Sequence, residues 1–227
     1  MTEDPVTGAA MARLLLKARA IQVSRDNPFV LAAGWASPVY VDCRRLLGDP
    51  ALREAAIGLA VAHLQQRYGP TPPFDRIAGG ETAGIPWAAW IAERFNLPML
   101  YVRKRPLGVG RHAQVEGGSA EGARVLLVDD LMTDGGSKVS FARGLRTAGA
   151  TVTDCLVLFH NRAFPGGDER LARLGLTLHA LADWDDVRRA GATDGTLDPA
   201  DLAIITAFLA DPAAWSADHG GRHAPPA

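Results

Sequence analysis

The stretch from Val125 to Lys138, VLLVDDLMTDGGSK, combines features that few folds can accommodate. An apolar run leads directly into two adjacent carboxylates, Asp129 and Asp130, and a pair of glycines follows within a few residues. A continuous apolar run is typical of a strand buried on both faces. Glycines ahead of a helical segment are typical of a tight turn at a helix start. The stretch therefore predicts a buried strand, a polar bend and a helix.

The same alternation of strand and helix extends from Phe74 to Leu181. The predicted strands cover residues 74–78, 98–102, 124–128, 151–159 and 176–181, and the predicted helices between them cover residues 85–95 and 137–148. Strands that alternate with helices of this length favour a parallel sheet with crossover helices. We therefore expect an α/β fold: an open, mostly parallel, twisted sheet, doubly wound and flanked by helices.

The remaining segments predict additions to this core within one domain of 227 residues. Residues 8–70 are expected to form N-terminal helices and an extended ribbon, and residues 74–181 the doubly wound core. Residues 183–215 are expected to form C-terminal helices. Residues 216–227 are rich in Gly, His and Pro and predict a flexible tail.

The ribbon spans residues 29–43 and is interrupted by Gly34 and Pro38. Asp49-Pro50 and Asp198-Pro199 each combine an N-cap residue with a proline suited to the first helical position, so each predicts a helix start.

Composition excludes several classes of function. The net charge of -1 gives no bulk attraction to nucleic acid or to an anionic membrane. No apolar segment approaches the length of a membrane span, and the N-terminus lacks the apolar region of a secretory signal, so a cytoplasmic location is expected. Cys43 and Cys155 match no metal or redox spacing and are expected to pack as small hydrophobic residues. The histidines show no metal spacing, and His63 is expected on an exposed helix face.

Three polar loops follow predicted strands, at residues 79–84, 103–118 and 129–136, and ligands of open α/β sheets bind beyond the carboxyl ends of strands. The third loop is suited to phosphate, because backbone N–H groups in the turn and at the helix start attract anions. The hydroxyls of Thr133 and Ser137 add donors. Asp129 and Asp130 would repel phosphate but suit sugar hydroxyls or a divalent cation. A ribose 5-phosphate satisfies both halves of the stretch.

The segment VLLVDDLMTDGG resembles the phosphoribosyl-pyrophosphate signature of the type I phosphoribosyltransferases. Residues 36–46, 74–86 and 97–117 resemble orotate phosphoribosyltransferases, in the same order and at similar spacing. The resemblance covers roughly residues 10–160. It implies the type I phosphoribosyltransferase fold, with the ribbon as an N-terminal hood and a C-terminal helical extension. It also implies transfer of ribose 5-phosphate from phosphoribosyl pyrophosphate to orotate, which gives orotidine 5'-monophosphate and pyrophosphate and requires Mg2+.

The resemblance also implies roles for individual residues. The implied catalytic residues are Asp129, Asp130, Arg103 and Lys104. The implied ribose and 5'-phosphate site consists of Asp129, Asp130, Leu131, Met132, Thr133, Asp134, Gly135, Gly136 and Ser137. The implied pyrophosphate site consists of Gly80, Glu81, Thr82, Ala83, Gly84, Arg103, Lys104, Arg105 and Arg111. Mg2+ is expected to be held mainly by substrate oxygens and water, with no protein ligand cage. The loop 103–118 is expected to act as a lid that reaches the partner subunit of a homodimer.

Three positions depart from the family pattern. Leu107 stands where the family usually has a lysine, Val109 where a histidine or tyrosine is common, and Ala83 where some members have a lysine. Loss of one charge-assisted contact costs roughly 1.5–3 kcal/mol, or about ten- to a hundred-fold in rate.

These departures leave three hypotheses. The first is an active enzyme in which Arg105 or Arg111 supplies the missing charge. The second is a weakened paralogue that binds phosphoribosyl pyrophosphate or a nucleotide and acts as a regulator or partner. The third is a phosphoribosyltransferase for another base. Whether Arg44 or Arg45 meets the orotate carboxylate also stays open.

Overall fold

The computed structural model describes residues 4–31, 34–108, 114–163 and 166–222. The strands are β1 Ile21–Val23, β2 Phe29–Val30, β3 Ala36–Ser37, β4 Val39–Val41, β5 Arg76–Gly80, β6 Met99–Val102, β7 Val115–Glu116, β8 Arg124–Met132, β9 Thr151–His160 and β10 Thr177–Asp183. The helices are α1 Pro5–Lys17, α2 Pro50–Tyr68, α3 Gly84–Phe95, α4 Gly136–Thr147, α5 Gly167–Arg173, α6 Trp184–Asp194, α7 Pro199–Ala210 and α8 Pro212–Asp218. A short 3-10 helix spans Cys43–Gly48.

Six of these strands form one sheet in the order β10-β9-β8-β5-β6-β7. All neighbouring pairs are parallel except β6 and β7, which are antiparallel. Helix α3 connects β5 to β6, α4 connects β8 to β9, and α5 connects β9 to β10. The predicted open, mostly parallel sheet flanked by helices is therefore confirmed.

The sheet is covered on both faces, as the apolar run in β8 predicts. Val125 and Leu127 belong to the hydrophobic core shared with α4 and α5. Leu126 and Val128 belong to the core shared with α1, α2, α3 and α6. All four side chains are almost completely buried, because a strand alternates its side chains between the two faces. None of the described helices combines the length and apolar character needed to cross a bilayer.

The N-terminal ribbon forms two short antiparallel pairs. Strands β2 and β3 pair Phe29 with Ser37, and β4 pairs with β1. Helix α2 begins as predicted: the Asp49 carboxylate accepts hydrogen bonds from the amides of Ala51 and Leu52, and Pro50 occupies the first turn.

Strand β8 extends further than the predicted 124–128. It continues through Asp129 and Asp130 to Met132, and Leu131 pairs with Phe159 of β9. Pairing with β9 depends on backbone groups, so polar side chains do not end it. The acid pair thus lies inside a strand, and the prediction of a loop from Asp129 was wrong.

Strand β7 was also not predicted, because residues 115–116 fall in the expected loop 103–118. Their pairing with β6 brings Gly117 against that strand, and a Cβ on Gly117 would lie 2.8 Å from the carbonyl oxygen of Met99. Gly117 has a φ of 100°, so this glycine serves a close backbone approach.

The C-terminal segment differs from the predicted tail. Helix α8 continues to Asp218, and Ser216 is fully buried. The Ser216 hydroxyl accepts a hydrogen bond from the Ala36 amide at 2.9 Å, and the Arg222 amide donates to the carbonyl of Gly34. The prediction of a loose tail was therefore wrong for residues 216–222, whereas residues 223–227 lie outside the described residues.

Single-residue predictions had mixed outcomes. Cys43 and Cys155 are both free and buried, as expected for small hydrophobic residues. The prediction that His63 is exposed was wrong: its side chain is buried. Its ring packs edge-on against the ring of His179 in β10, with centroids 5.7 Å apart.

The Ser216 contact gives a test of the C-terminal docking. Replacement of Ser216 by Ala leaves the buried Ala36 amide without its acceptor, so the free energy of unfolding should fall by about 1–3 kcal/mol in urea titrations. Ser119→Ala is the matched control, because Ser119 accepts from the exposed amide of Glu121, which water can satisfy. Equal effects of the two substitutions would show that the docking hydrogen bond contributes nothing.

Candidate active site

A cavity of about 460 Å³ lies at the carboxyl ends of β5, β6 and β8. The acid strand and the bend contribute to its wall with Asp129, Asp130, Leu131, Thr133, Ser137 and Lys138. The turn after β5 and the start of the predicted lid contribute with Glu81, Thr82, Ala83 and Lys104. The ribbon contributes with Tyr40, Val41, Asp42 and Arg44. The three predicted loops and the ribbon thus converge on one site.

The two adjacent carboxylates differ in their surroundings. Asp129 is 6% exposed; its Oδ1 accepts from the Asp130 amide at 3.0 Å, and its Oδ2 accepts from Lys138 Nζ at 2.5 Å. Asp130 is more exposed. Burial and the neighbouring Asp129 carboxylate raise the pKa of Asp130 to about 6. The pair therefore presents the Asp129 carboxylate, which is held by the Lys138 ammonium, and the Asp130 carboxyl, which has a pKa of about 6.

The bend that follows is shaped for an anion. Gly135 has a φ of 75° and is the N-cap of α4. The Asp134 carboxylate accepts from the Gly136 amide at 3.1 Å, and Arg170 donates to the Asp134 carbonyl at 2.8 Å. Asp134 thus shapes the turn and is not among the cavity-lining residues. The positive end of the α4 dipole and the hydroxyls of Thr133 and Ser137 favour phosphate there.

The turn after β5 lies tightly against its neighbours. Gly80 ends β5, and a Cβ on it would lie 2.5 Å from the Phe141 ring. Gly84 begins α3, and a Cβ on it would lie 2.4 Å from the carbonyl oxygen of Val128. The peptide bond between Glu81 and Thr82 is cis. Gly84 therefore lets the turn lie directly beside the acid strand, and Gly80 lets the end of β5 lie against Phe141 of α4.

The basic residues of the predicted lid have different environments. Lys104 lines the cavity, and its amide donates to Glu81 Oε2 at 2.8 Å. Arg103 does not line it: the guanidinium forms an ion pair with Glu116 at 3.1 Å and also donates to Tyr101 Oη.

Further along the same loop, Arg105 is exposed and Leu107 is 64% exposed, and neither lines the cavity. Val109 and Arg111 lie outside the described residues. Lys104 is therefore the lid residue that the described part of the chain brings into the site.

The two arginines of the ribbon are separated by the structure. Arg44 lines the cavity, and its Nε donates to Asp42 Oδ1 at 2.5 Å. Arg45 turns away and donates to the carbonyl of Arg19 at 2.7 Å. Of the two, Arg44 is therefore the candidate to contact a nucleobase that carries a carboxylate.

Lys138 is a site residue that sequence reasoning missed. It falls within the predicted helix 137–148, yet its side chain is buried and paired with Asp129. One signal was available: a lysine in the first turn opposes the helix dipole. Within the described residues, no cluster of three or more His, Cys, Asp or Glu side chains is arranged to hold a metal ion.

Comparison with known proteins decides the family. The profile described as "Phosphoribosyl transferase domain" matches residues 45–184. Orotate phosphoribosyltransferase of Jannaschia sp. is 47% identical over 94% of this chain and 94% of its own length. The chain belongs to the orotate phosphoribosyltransferase family.

Solved structures agree with this assignment. Orotate phosphoribosyltransferase from Aeropyrum pernix matches 82% of this chain and 99% of its own, with 34% identity and a TM-score of 0.66. Leishmania donovani UMP synthase matches 89% of this chain with 29% identity and a TM-score of 0.75, and the chain spans 42% of that larger protein. The type I phosphoribosyltransferase fold predicted from the sequence is thereby confirmed.

The contact between Gly84 and β8 gives a test of the turn geometry. Replacement of Gly84 by Ala places a methyl group against a backbone oxygen that cannot move without shifting the acid strand, so the free energy of unfolding should fall by about 1–3 kcal/mol in urea titrations.

Gly58→Ala is the matched control, because Gly58 lies on an exposed face of α2 with no atom near its added Cβ. In a helix interior Ala is favoured over Gly by about 1 kcal/mol, so this control should gain stability. A stabilising effect of Gly84→Ala would contradict the close approach.

Proposed function

We propose that this protein transfers the ribose 5-phosphate of phosphoribosyl pyrophosphate to orotate, giving orotidine 5'-monophosphate and pyrophosphate in UMP synthesis. The observation that carries the proposal is the junction of two binding surfaces in one cavity: the carboxylates of Asp129 and Asp130, and the amide-lined bend from Thr133 to Ser137. A pentose with a diol at one side and a phosphate at the other fits both. Family membership over 94% of the chain supports the same reaction.

The proposed mechanism assigns mainly positioning and electrostatic tasks to the protein. The acid pair accepts hydrogen bonds from the ribose hydroxyls and lies near the positive charge that develops on the ribose ring as pyrophosphate departs. The bend holds the 5'-phosphate through backbone N–H groups and the hydroxyls of Thr133 and Ser137. Since both ends of the ribose are held, the reacting carbon is placed against the base.

The pyrophosphate is proposed to lie between Lys104 and the turn from Glu81 to Ala83. Lys104 lines the cavity beside that turn, so its ammonium can neutralise charge on the leaving group. Arg103 is proposed to contact the pyrophosphate once its ion pair with Glu116 is broken. Arg105 is proposed to supply the charge that a lysine at position 107 gives in other family members.

We propose Mg2+ as the cofactor. The cavity-lining carboxylates of Asp130 and Glu81 fit an ion that keeps several waters and binds mainly through substrate oxygens. When bound, the ion supplies charge neutralisation to the pyrophosphate. The protein's part is to hold Asp130 and Glu81 beside that group.

The loop 103–118 is proposed to close over the substrates, and the protein is proposed to act as a cytoplasmic homodimer in which the loop reaches the partner's site. The described ends of the loop are held by hydrogen bonds. Gln114 Nε2 donates to the Arg103 carbonyl at 2.7 Å, and the Ser140 hydroxyl donates to the Lys104 carbonyl at 3.0 Å. These contacts, with the 3.4 Å contact between Gln114 Nε2 and Ser140 Oγ, hold the described ends of the loop to each other and to α4.

The decisive assay follows loss of orotate absorbance with phosphoribosyl pyrophosphate and Mg2+. Turnover supports the proposal, and binding of phosphoribosyl pyrophosphate without turnover would favour the weakened paralogue. Competition of adenine, guanine and uracil against orotate tests the choice of base. If the protein consumed one of these bases faster than orotate, that base would be the substrate and orotate would not.

The pKa of Asp130 predicts an acid limb in the pH profile. Below pH 6 Asp130 gains a proton and can no longer accept from ribose hydroxyls as a carboxylate, so the affinity for ribose 5-phosphate, measured without Mg2+, should fall as pH decreases through about 6. The substrate phosphate also titrates near pH 6. Asp130→Asn separates the two, because only the substrate's titration remains in the variant. An unchanged acid limb in Asp130→Asn would contradict the assignment to Asp130.

The two ribbon arginines give a matched pair for base recognition. Arg44→Gln removes a charge-assisted partner from the cavity, so KM for orotate should rise about ten- to a hundred-fold while KM for phosphoribosyl pyrophosphate changes little. Arg45→Gln should leave both constants near the wild-type values, because Arg45 faces the Arg19 carbonyl. Equal changes in the KM for orotate in the two variants would contradict a contact between Arg44 and the base.

A further inference from the structure

Lys138 occupies an unusual place for a lysine. It lies in the first turn of α4 and is 3% exposed. Its ammonium donates to Asp129 Oδ2 at 2.5 Å and to the carbonyl of Leu131, and lies 3.4 Å from Ser137 Oγ. Lysine side chains are almost never buried to this degree unless they are paired. The contacts reach the acid strand at Asp129 and Leu131, and the end of the bend at Ser137, where the helix starts.

Fold stability alone does not explain this placement. A positive charge in the first turn of a helix opposes the helix dipole, and the desolvation of a buried ion pair commonly offsets its attraction, so a well-packed apolar pair is often as stable. The position does, however, join the two halves of the ligand cavity. The Lys138 ammonium binds both the Asp129 carboxylate, in the proposed ribose site, and the Leu131 carbonyl, in the backbone that leads to the proposed phosphate site.

We propose that Lys138 is a positioning residue for the phosphoribosyl group. It holds the Asp129 carboxylate and the bend in one arrangement, so that the pentose and its 5'-phosphate meet preformed surfaces. This inference rests on the proposed function and adds a residue to the substrate site.

The acid pair then has divided roles. Both oxygens of Asp129 already accept a hydrogen bond from the protein, one from Lys138 and one from the Asp130 amide. The protein therefore fixes the orientation of the Asp129 carboxylate, and Asp130 is the more accessible carboxylate at the cavity wall. Lys138 also places a positive charge between the carboxylates and the phosphate bend, which reduces the repulsion between the acid pair and a bound phosphate.

A selective effect on the phosphoribosyl group follows from this geometry. Orotate is proposed to lie toward the ribbon, where Arg44 lines the cavity, and Lys138 contacts none of the ribbon residues in the hydrogen bonds that the described residues form. Loss of Lys138 should therefore weaken the binding of ribose 5-phosphate and of phosphoribosyl pyrophosphate, and leave the binding of orotate unchanged. A general loss of folded protein would lower the active fraction without separating the two KM values.

The test is calorimetric titration of the full-length protein with ribose 5-phosphate, without metal, together with the KM of each substrate. Lys138→Met should bind ribose 5-phosphate at least tenfold more weakly and show a similar rise in KM for phosphoribosyl pyrophosphate, with KM for orotate within about twofold. Lys138→Gln keeps an N–H donor for Asp129, so its loss should be smaller. Lys17→Met, at an exposed lysine, is the control and should match wild type.

A second variant keeps the inference testable if Lys138→Met does not fold. Lys138→Gln keeps an N–H donor for Asp129 in the same buried position, and it should still bind ribose 5-phosphate more weakly than wild type. Wild-type affinity in either variant, or a fall in kcat with unchanged ribose 5-phosphate binding, would overturn the role of Lys138. Absence of both ribose 5-phosphate binding and orotate turnover in the wild-type protein would instead reject the proposed function.

Discussion

The site depends on one backbone constraint: strand β8 pairs with β9 over more of its carboxyl-terminal residues than it pairs with β5. Its pairing with β5 ends with Gly79 opposite Val128, whereas its pairing with β9 continues to Met132. The chain leaves β5 toward β6 and leaves β8 toward β9, so the connections diverge here and open the crevice in which α/β proteins bind ligands. The last residues of β8 form one wall of that crevice, and the turn after β5 folds over the shorter strand to form the other.

Sequence patterns predicted the parts of the fold that depend on local chemistry. Apolar runs located the parallel strands, and Asp49-Pro50 located a helix start that the structure reproduces through side-chain caps. The end of β8 was not predictable in this way, because it is set by backbone pairing with a strand some thirty residues later. The docking of Ser216 on Ala36 likewise joins residues far apart in the chain, and composition alone favoured a loose tail there.

The candidate site was predictable at the level of loops but not of side-chain directions. The acid pair, the bend and the turn after β5 converge as the strand order requires. Arg103 was expected to face the same cavity, but β7 returns beside β6 and brings Glu116 within reach of its guanidinium. Lys138 was not predicted either: its place in the first helical turn is unfavourable for a lysine, but the sequence does not show that the side chain turns inward toward Asp129. Both outcomes depend on tertiary neighbours.

The charge balance of the cavity indicates how it binds an anionic ligand. Among the described lining residues, three basic side chains face four carboxylates, and Arg44–Asp42 and Lys138–Asp129 are already paired. Side-chain charge alone therefore gives no net attraction for a polyphosphate. Backbone N–H groups at the start of α4 and in the turn before α3 must provide much of it, since their partial positive charge is fixed by the fold and needs no counter-ion. The apolar Leu107 is compatible with such a site, because the proposed phosphate contacts at the start of α4 and in the turn before α3 do not involve that position.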